Sequence, residues 1–140
     1  MTKRILIMGL PGSGKTTLAD RLHKALLPHY KGVWLNADRI REEYDDWDFS
    51  LAGRLRQAFR MYDLSTVLES QYTLIDMVCP LPEMRSIVEP DYVIWMDTIS
   101  SGRYEDTNKM FVSPDHYDYR ITSLNYQPLD LVGQLVTIFK

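Results

Sequence analysis

The 140-residue sequence is poor in cysteine, in long apolar runs and in excess basic charge. Its single cysteine, Cys79, excludes an intramolecular disulfide and a thiolate metal centre. No apolar run approaches the length that crosses a bilayer, and residues 1–4 lead straight into a predicted strand rather than a signal peptide, so we expect a cytoplasmic protein without a membrane partner. The formal net charge of −3 lacks the basic excess typical of a duplex-binding surface, and we expect no duplex nucleic acid partner.

A glycine-rich segment stands out against these absences. Residues 9–17 read GLPGSGKTT, follow an apolar run and precede a helical pattern, which is the context that the motif G-x-x-x-x-G-K-[ST] requires. The glycines allow backbone N–H groups to surround a phosphate. Lys15 supplies a charge to the β- and γ-phosphates, and Thr16 offers a hydroxyl to Mg²⁺, so we predict ATP with Mg²⁺ as ligand. The predicted phosphate-binding residues of this loop are Gly9, Gly12, Ser13, Gly14, Lys15, Thr16 and Thr17.

Apolar runs alternate with helical periods along the rest of the chain, which is typical of βαβ units. We predict one domain over residues 1–140, with an α/β three-layer P-loop NTPase fold and a mostly parallel five-stranded sheet flanked by helices. Strands are predicted at 3–8, 32–35, 73–78, 92–96 and 119–122, and helices at 15–27, 38–44, 51–69, 83–88 and 129–139. The carboxyl ends of the strands should gather the ligand site.

Two groups of polar residues outside the phosphate loop suit the binding of a phosphoryl-acceptor substrate. Arg54, Gln57 and Arg60 recur at i, i+3 and i+6 of a predicted helix, a pattern that suits a phosphate or sulfate ester but also fits a solvated helix face. Asp38 follows the second strand, where a carboxylate could hold Mg²⁺ indirectly or take the proton of an acceptor hydroxyl. Its alternative is a helix cap for residues 39–44, and the two roles can coexist.

Residues 101–118 are polar and aperiodic, and we predict a mobile lid there. Lys109, with a catalytic role, and Phe111 would close over a nucleotide and exclude water. Arg103 would contact the donor phosphates or stack on a base. The alternative is a disordered surface loop.

These motifs together resemble the adenylylsulfate (APS) kinase family, which phosphorylates the ribose 3′-hydroxyl of adenosine 5′-phosphosulfate. Residues 9–19 are similar to the family segment G-x-x-G-S-G-K-T-T-x-A, and residues 36–41 stand where it has D-G-D-x-x-R. Residues 49–60 resemble F-S-x-x-x-R-x-x-N-x-x-R, residues 79–80 stand at a Ser-Pro, and residues 109–118 resemble the lid K-x-F…D…Y-E, one residue shorter. Asn36 departs from the first aspartate of D-G-D, and Gln57 from the asparagine of the helix.

The resemblance implies a small anionic nucleotide as acceptor, with Phe49 and Phe111 on either side of its adenine. It is also compatible with a homodimer, since related kinases are often dimers, and the residues themselves leave the oligomeric state open. The acceptor-binding residues that it and the arginine helix suggest are Arg41, Phe49, Arg54, Gln57, Arg60, Cys79, Pro80 and Phe111.

The sequence therefore predicts an ATP-dependent kinase that transfers the γ-phosphoryl group to the 3′-hydroxyl of APS, as in sulfate assimilation. Two alternatives stay open at this point. One is a kinase for another hydroxyl, such as a hydroxymethylated base in DNA. The other is a nucleotide-binding regulator without catalytic activity, which the neutral Asn36 keeps open.

Overall fold

A five-stranded parallel sheet forms the centre of the molecule in the computed structural model, which describes residues 1–102 and 104–139. The strands lie in the order β2-β3-β1-β4-β5, and each described pairing is parallel. The predicted α/β fold is confirmed, with β1 central and the described sheet parallel throughout. The strands are β1 Lys3–Met8, β2 Gly32–Asn36, β3 Tyr72–Asp76, β4 Tyr92–Met96 and β5 Tyr119–Ile121.

Five helices lie where the sequence predicts them, with ends shifted by one or two residues: α1 Lys15–Leu26, α2 Ala37–Glu43, α3 Leu51–Val67, α4 Pro82–Val88 and α6 Pro128–Ile138. Helix α5 Glu105–Met110 lies between β4 and β5. None of the helices, over the part of the chain that the structure describes, is long and apolar enough to cross a membrane.

Helix α5 corrects the prediction of an aperiodic loop over residues 101–118. It escaped sequence analysis because it has only six residues, of which Thr107 alone is buried, so it shows no apolar period. Its charges nevertheless suit a helix: Glu105 and Asp106 lie in the first turn and Lys109 in the last, complementing the helix dipole.

The sheet is covered on both faces, which explains why β1 is apolar without alternation. Ile5 and Ile7 of β1 pack in a core with α1 and α6. Leu6 and Met8 point to the other face and pack in a second core with α2, α3 and α4. The two cores fix the sheet between its helices, so the carboxyl ends of the strands form one rigid edge.

A close approach between β2 and β3 generates a stability prediction. Tyr72 is fully buried, and a Cβ added at Gly32 would lie 1.8 Å from a carbon of its ring. Gly32→Ala should therefore lower the free energy of unfolding by about 1–3 kcal/mol, the usual cost of overpacking. Chemical denaturation of the two proteins measures this.

The matched control is Gly133→Ala in α6, where an added Cβ meets nothing within 4 Å. Alanine there should stabilise the protein by about 0.5–1 kcal/mol, because it is the better helix former. Equal effects of the two substitutions would contradict the packing described here.

Candidate active site

The phosphate loop joins β1 to α1 in a backbone conformation that needs glycine. Gly9 has a φ of +154°, and a Cβ there would lie 2.5 Å from the carbonyl oxygen of Met96. Gly14 caps α1 with a φ of +101° and provides no side-chain hydrogen bond to the first turn. The amide groups of that turn are thus free of a side-chain cap, which suits an anion.

Lys15 and Ser13 lie buried within this loop. The Lys15 Nζ donates a hydrogen bond to the carbonyl oxygen of Leu10 at 3.1 Å. The Ser13 Oγ is buried and has no hydrogen-bond partner within residues 1–102 and 104–139. The loop therefore holds a cation and an unsatisfied hydroxyl where the sequence predicts a phosphate.

Asp76, the last residue of β3, is the centre of the site, and sequence analysis missed it. Its Oδ2 accepts hydrogen bonds from Thr16 Oγ1 at 3.0 Å, from Asn36 Nδ2 at 2.9 Å and from Trp34 Nε1 at 3.4 Å. The available signal was its position: a carboxylate ends the buried run of the third strand, beside the phosphate loop in a parallel sheet.

Burial raises the pKa of Asp76, which is only 2% exposed. The hydrogen bond from Asn36, the charge of Lys15 and the hydrogen bonds from Thr16 and Trp34 all act in the opposite direction. The site thus surrounds a dehydrated carboxylate with donors that favour its charged form.

The oxygens of Thr16 and Asp76 fit a magnesium ion in their chemistry, because Mg²⁺ prefers hydroxyl, carboxylate and phosphate oxygens. P-loop enzymes hold Mg²⁺ with a loop Ser or Thr and an aspartate of a neighbouring strand. Asn36 contributes an NH₂ group to this cluster, donating to Asp76 and, at 3.3 Å, to Thr16 Oγ1. The Asn36 amide therefore holds Thr16 and Asp76 in place by hydrogen bonds and adds no negative charge to the site.

Asn36 also corrects the capping prediction made for Asp38. The Asn36 Oδ1 accepts a hydrogen bond from the Arg39 N–H at 3.0 Å and so caps α2, whereas Asp38 is the second residue of that helix. Asp38 is exposed and lines the cavity described next. The cap reading is wrong for Asp38, and its predicted role toward metal or acceptor stays a prediction.

A cavity of about 500 Å³ opens beside the phosphate loop. Its walls come from the loop and the strand ends, from the connection between α2 and α3, and from the start of α5. The lining residues are Pro11, Gly12, Lys15, Thr16, Asn36, Ala37, Asp38, Trp47, Phe49, Arg54, Asp76, Met77, Val78, Tyr104, Asp106 and Thr107. The members of this set that the sequence predicted as site residues are Gly12, Lys15, Thr16, Asp38, Phe49 and Arg54.

Two buried arginines flank Phe49, which lines the cavity. The guanidinium carbons of Arg41 and Arg54 lie 4.4 Å and 5.4 Å from the Phe49 ring centroid. Arg54 donates from Nε to the Phe49 carbonyl oxygen at 2.9 Å, and its Nη2 lies 3.5 Å from the Thr107 hydroxyl. Burial lowers the pKa of both arginines, so each is a partly dehydrated cation near the cavity.

Gln57 and Arg60 have different surroundings from Arg54, which lines the cavity. Gln57 is buried, donates to the Ala37 carbonyl oxygen at 3.0 Å and accepts from Arg60 at 2.9 Å. Arg60 also pairs with Asp46 at 2.9 Å. Neither Gln57 nor Arg60 is among the lining residues, so only Arg54 of the predicted trio reaches the cavity.

Helix α5 forms the third wall, with Tyr104, Asp106 and Thr107 at the cavity. Lys109 is exposed and pairs with Glu105 at 3.4 Å, one turn earlier on the same helix. Phe111 is half-buried against the second core, with the Arg85 guanidinium 5.6 Å from its ring. Arg103 lies outside the described residues, and the lid roles of these side chains stay predictions.

Cys79 and Pro80 pack beneath this wall. Arg85 donates to the carbonyl oxygens of Cys79 at 3.1 Å, of Pro80 at 3.2 Å and of Val112. The Val112 N–H in turn donates to the Pro80 carbonyl oxygen at 2.8 Å. Both predicted acceptor residues are buried and absent from the cavity lining given above, so a direct acceptor contact would require this packing to open.

The buried thiol yields a prediction that a single-cysteine chain makes easy to test. Cys79 is 1% exposed, and burial raises the pKa of its thiol to about 12. Because the thiolate is the reactive form, the folded protein should not react with a thiol-specific disulfide reagent at pH 8, whereas the denatured protein should react fully. Rapid labelling of the folded protein would show that the packing around Cys79 opens in solution.

The sequence was compared with protein families and with known proteins. The family model for adenylylsulphate kinase matches residues 1–94. The cytidine diphosphoramidate kinase of Campylobacter jejuni is 31% identical over 72 residues, which cover 51% of this chain and 42% of that protein. The match thus spans less than half the length of that relative.

Solved structures share the fold. The APS kinase of Mycobacterium tuberculosis in complex with AMPPNP and APS superposes with a TM-score of 0.76 at 19% identity, covering 98% of this chain and 96% of that one. The shikimate kinase of Acinetobacter baumannii in complex with shikimate gives 0.61 at 15% identity, covering 99% and 93%. At these identities the likeness establishes the P-loop kinase fold alone. The family match extends over the greater part of the sequence, and this chain belongs to the adenylylsulphate kinase family, a family of phosphotransferases that act on a hydroxyl group.

Proposed function

We propose that this chain is a Mg²⁺- and ATP-dependent kinase that phosphorylates a hydroxyl group of a small anionic nucleotide, with the 3′-hydroxyl of APS as the first candidate. The observation that carries the proposal is the Thr16–Asp76 hydrogen bond at the phosphate loop, in a cavity that Arg54 and Phe49 also line. The phosphate-loop residues of this lining suit a triphosphate with its metal, and Arg54 and Phe49 suit a flat, negatively charged acceptor.

On the donor side, the loop amides and Lys15 would bind the β- and γ-phosphates. Mg²⁺, when bound at Thr16 and Asp76, supplies charge neutralisation for the transferring group. Lys15 would leave the Leu10 carbonyl oxygen to contact a phosphate oxygen, exchanging a neutral acceptor for a charged one. Such transfer depends mainly on positioning and on electrostatic stabilisation.

On the acceptor side, Arg54 and Phe49 offer a cation and an aromatic face. An arginine that burial has stripped of water gains most from an anionic partner. Trp47, whose ring lies 6.4 Å from that of Phe49, adds a second aromatic surface for a base. Asp38 stays our candidate for the group that takes the proton of the acceptor hydroxyl, since it lines the same cavity.

A second acceptor class comes from the sequence relative. The Campylobacter jejuni protein is named as a kinase of cytidine diphosphoramidate, a nucleotide with a nitrogen substituent on its diphosphate. The aromatic and arginine wall suits this compound as well, because it combines a base with an anionic group. The two acceptors differ in base and in the substituent on phosphorus, so direct comparison distinguishes them.

The first test of the donor side is Lys15→Ala. Loss of the charge on the β- and γ-phosphates should lower kcat by at least about 100-fold, a usual cost of removing a group that stabilises the transferring phosphoryl. Steady-state ADP formation with Mg·ATP and the acceptor measures it. Lys24→Ala, which removes an exposed cation of the same helix, should leave kcat unchanged, and an equal loss in both variants would contradict the assignment.

The acceptor side is tested by Arg54→Ala and Arg54→Lys. Each should raise the KM for the acceptor, by about tenfold or more for alanine, while the KM for ATP stays within about twofold. Arg21→Ala, an exposed arginine of α1, is the control. An unchanged acceptor KM in both Arg54 variants would place the acceptor elsewhere.

The function itself is tested by supplying Mg·ATP with each of several acceptors and measuring ADP. The panel contains APS, cytidine diphosphoramidate, adenosine monophosphate, shikimate and hydroxymethylated DNA. Turnover with APS and a 3′-phosphorylated product supports the first candidate, and turnover restricted to the cytidine compound or to DNA replaces it. Nucleotide binding without turnover on the panel would leave the regulator that the sequence kept open.

Two further predictions, a homodimer and a cytoplasmic location, stay as the sequence left them. Light scattering over a range of protein concentrations measures the oligomeric state.

A further inference from the structure

The connection between α2 and α3 carries two aromatic side chains to the cavity. We call residues 46–49 the strap. Trp47 and Phe49, both 49% exposed, line the cavity from this segment. Exposed rings on an irregular segment bury too little apolar surface to fix their own backbone, so the strap needs other interactions to hold its shape.

The carboxylate of Asp46 supplies the first of these interactions. Arg56 binds both of its oxygens, with Nε at 2.8 Å and Nη2 at 3.0 Å, and Arg60 Nη2 binds Oδ2 at 2.9 Å. The Asp48 N–H donates to Oδ1 at 3.2 Å. Hydrogen bonds from Arg56 and Arg60 hold the pKa of Asp46 well below its usual range, so the carboxylate is charged at neutral pH.

The strap is also held from beneath. Arg41 Nη1 donates to the carbonyl oxygens of Asp46 at 3.0 Å and of Asp48 at 3.3 Å. Gly53 of α3 packs so closely that a Cβ there would lie 2.1 Å from the Asp48 carbonyl oxygen. The two residues that flank Trp47 are thus fixed through both backbone and side chain.

This arrangement differs from an ordinary surface ion pair, which contributes little. The side chains of Asp46 and Arg60 are only 12% and 15% exposed, and the Arg56 contact is bidentate. One carboxylate shared by two guanidiniums and a backbone N–H forms a network whose members fix each other's geometry. The network joins α3 to the strap and leaves the phosphate loop untouched.

We propose that Asp46 is a positioning residue that holds Trp47 and Phe49 in place as a preformed wall for the acceptor. It touches no substrate and acts through the strap. A wall ordered before binding spares the acceptor the entropic cost of ordering it, so Asp46 raises acceptor affinity without a contact of its own. The identity of the ligand on this wall rests on the proposed function, whereas the ordering of the wall does not.

The kinetic test uses Asp46→Asn, which keeps the shape and removes the charge, with APS as the probe. The KM for APS should rise about five- to tenfold, while kcat and the KM for ATP stay within about twofold. Arg56→Gln should do the same, Arg56→Lys should restore part of the affinity, and the double variant Asp46→Asn/Arg56→Gln should be no worse than either single one. The control is Asp20→Asn, which breaks the exposed Lys24–Asp20 pair of α1.

The second test needs no acceptor and therefore separates this proposal from the proposed function. Protein labelled with 5-fluorotryptophan gives fluorine resonances for Trp34, Trp47 and Trp95, which single Trp→Phe variants assign. In Asp46→Asn the Trp47 resonance should shift or broaden, while Trp34, bound to Asp76, and Trp95, packed on Tyr117, stay unchanged. If Asp46→Asn does not fold, Arg56→Gln removes only the more exposed partner and gives the same readout.

The outcomes separate cleanly. If the Trp47 resonance moves in Asp46→Asn but the wild-type protein does not turn over APS, the positioning role of Asp46 is supported and APS is rejected as the acceptor. An unmoved Trp47 resonance would overturn the positioning role. A rise in the KM for ATP equal to that for APS would overturn it too, since it would show a general structural effect.

Discussion

The contact between Thr16 and Asp76 is the interaction on which the site depends. It joins the phosphate loop to the end of β3, and it exists because the parallel register sets Asp76 beside Ile7 of β1 on one side and Asn36 of β2 on the other. A slip of one residue in either pairing would turn the carboxylate to the opposite face. The two packed cores prevent such a slip, so the positions of the hydroxyl and carboxylate oxygens follow from the burial of the sheet.

Asn36 connects this centre to helix α2. Its NH₂ group donates hydrogen bonds to Asp76 and Thr16. Its side-chain oxygen accepts from the Arg39 N–H and so caps α2, the helix that contains Asp38 and Arg41. A carboxylate at this position could accept the cap hydrogen bond but could not donate to Asp76, and it would add a second negative charge to a buried site. The amide thus lets one side chain both donate to Asp76 and accept from Arg39, and it places no charge where the family pattern has an aspartate.

The sequence predicted the parts of this molecule that repeat a local pattern. The phosphate loop, the central β1 and the long α3 each carry a motif, an apolar run or a helical period, and their bounds were confirmed within a few residues. Helix α5 was missed because it is short and exposed, and Asp76 because a lone aspartate has no pattern until the neighbouring strand is known. Arg60 binds Asp46, which lies fourteen residues earlier in the chain, whereas Arg54 lines the cavity. The spacing of the arginines along one helix could not reveal this difference.

The central claim is that Thr16 and Asp76 together hold the metal of a bound nucleotide. Calorimetric titration of a non-hydrolysable ATP analogue, with Mg²⁺ and with EDTA, tests it in the wild-type protein and in Asp76→Asn. The account predicts that Mg²⁺ tightens binding to the wild-type protein and that most of this gain disappears in Asp76→Asn, while binding in EDTA changes little. The same gain from Mg²⁺ in both proteins would contradict the account, because the metal would then be bound without Asp76.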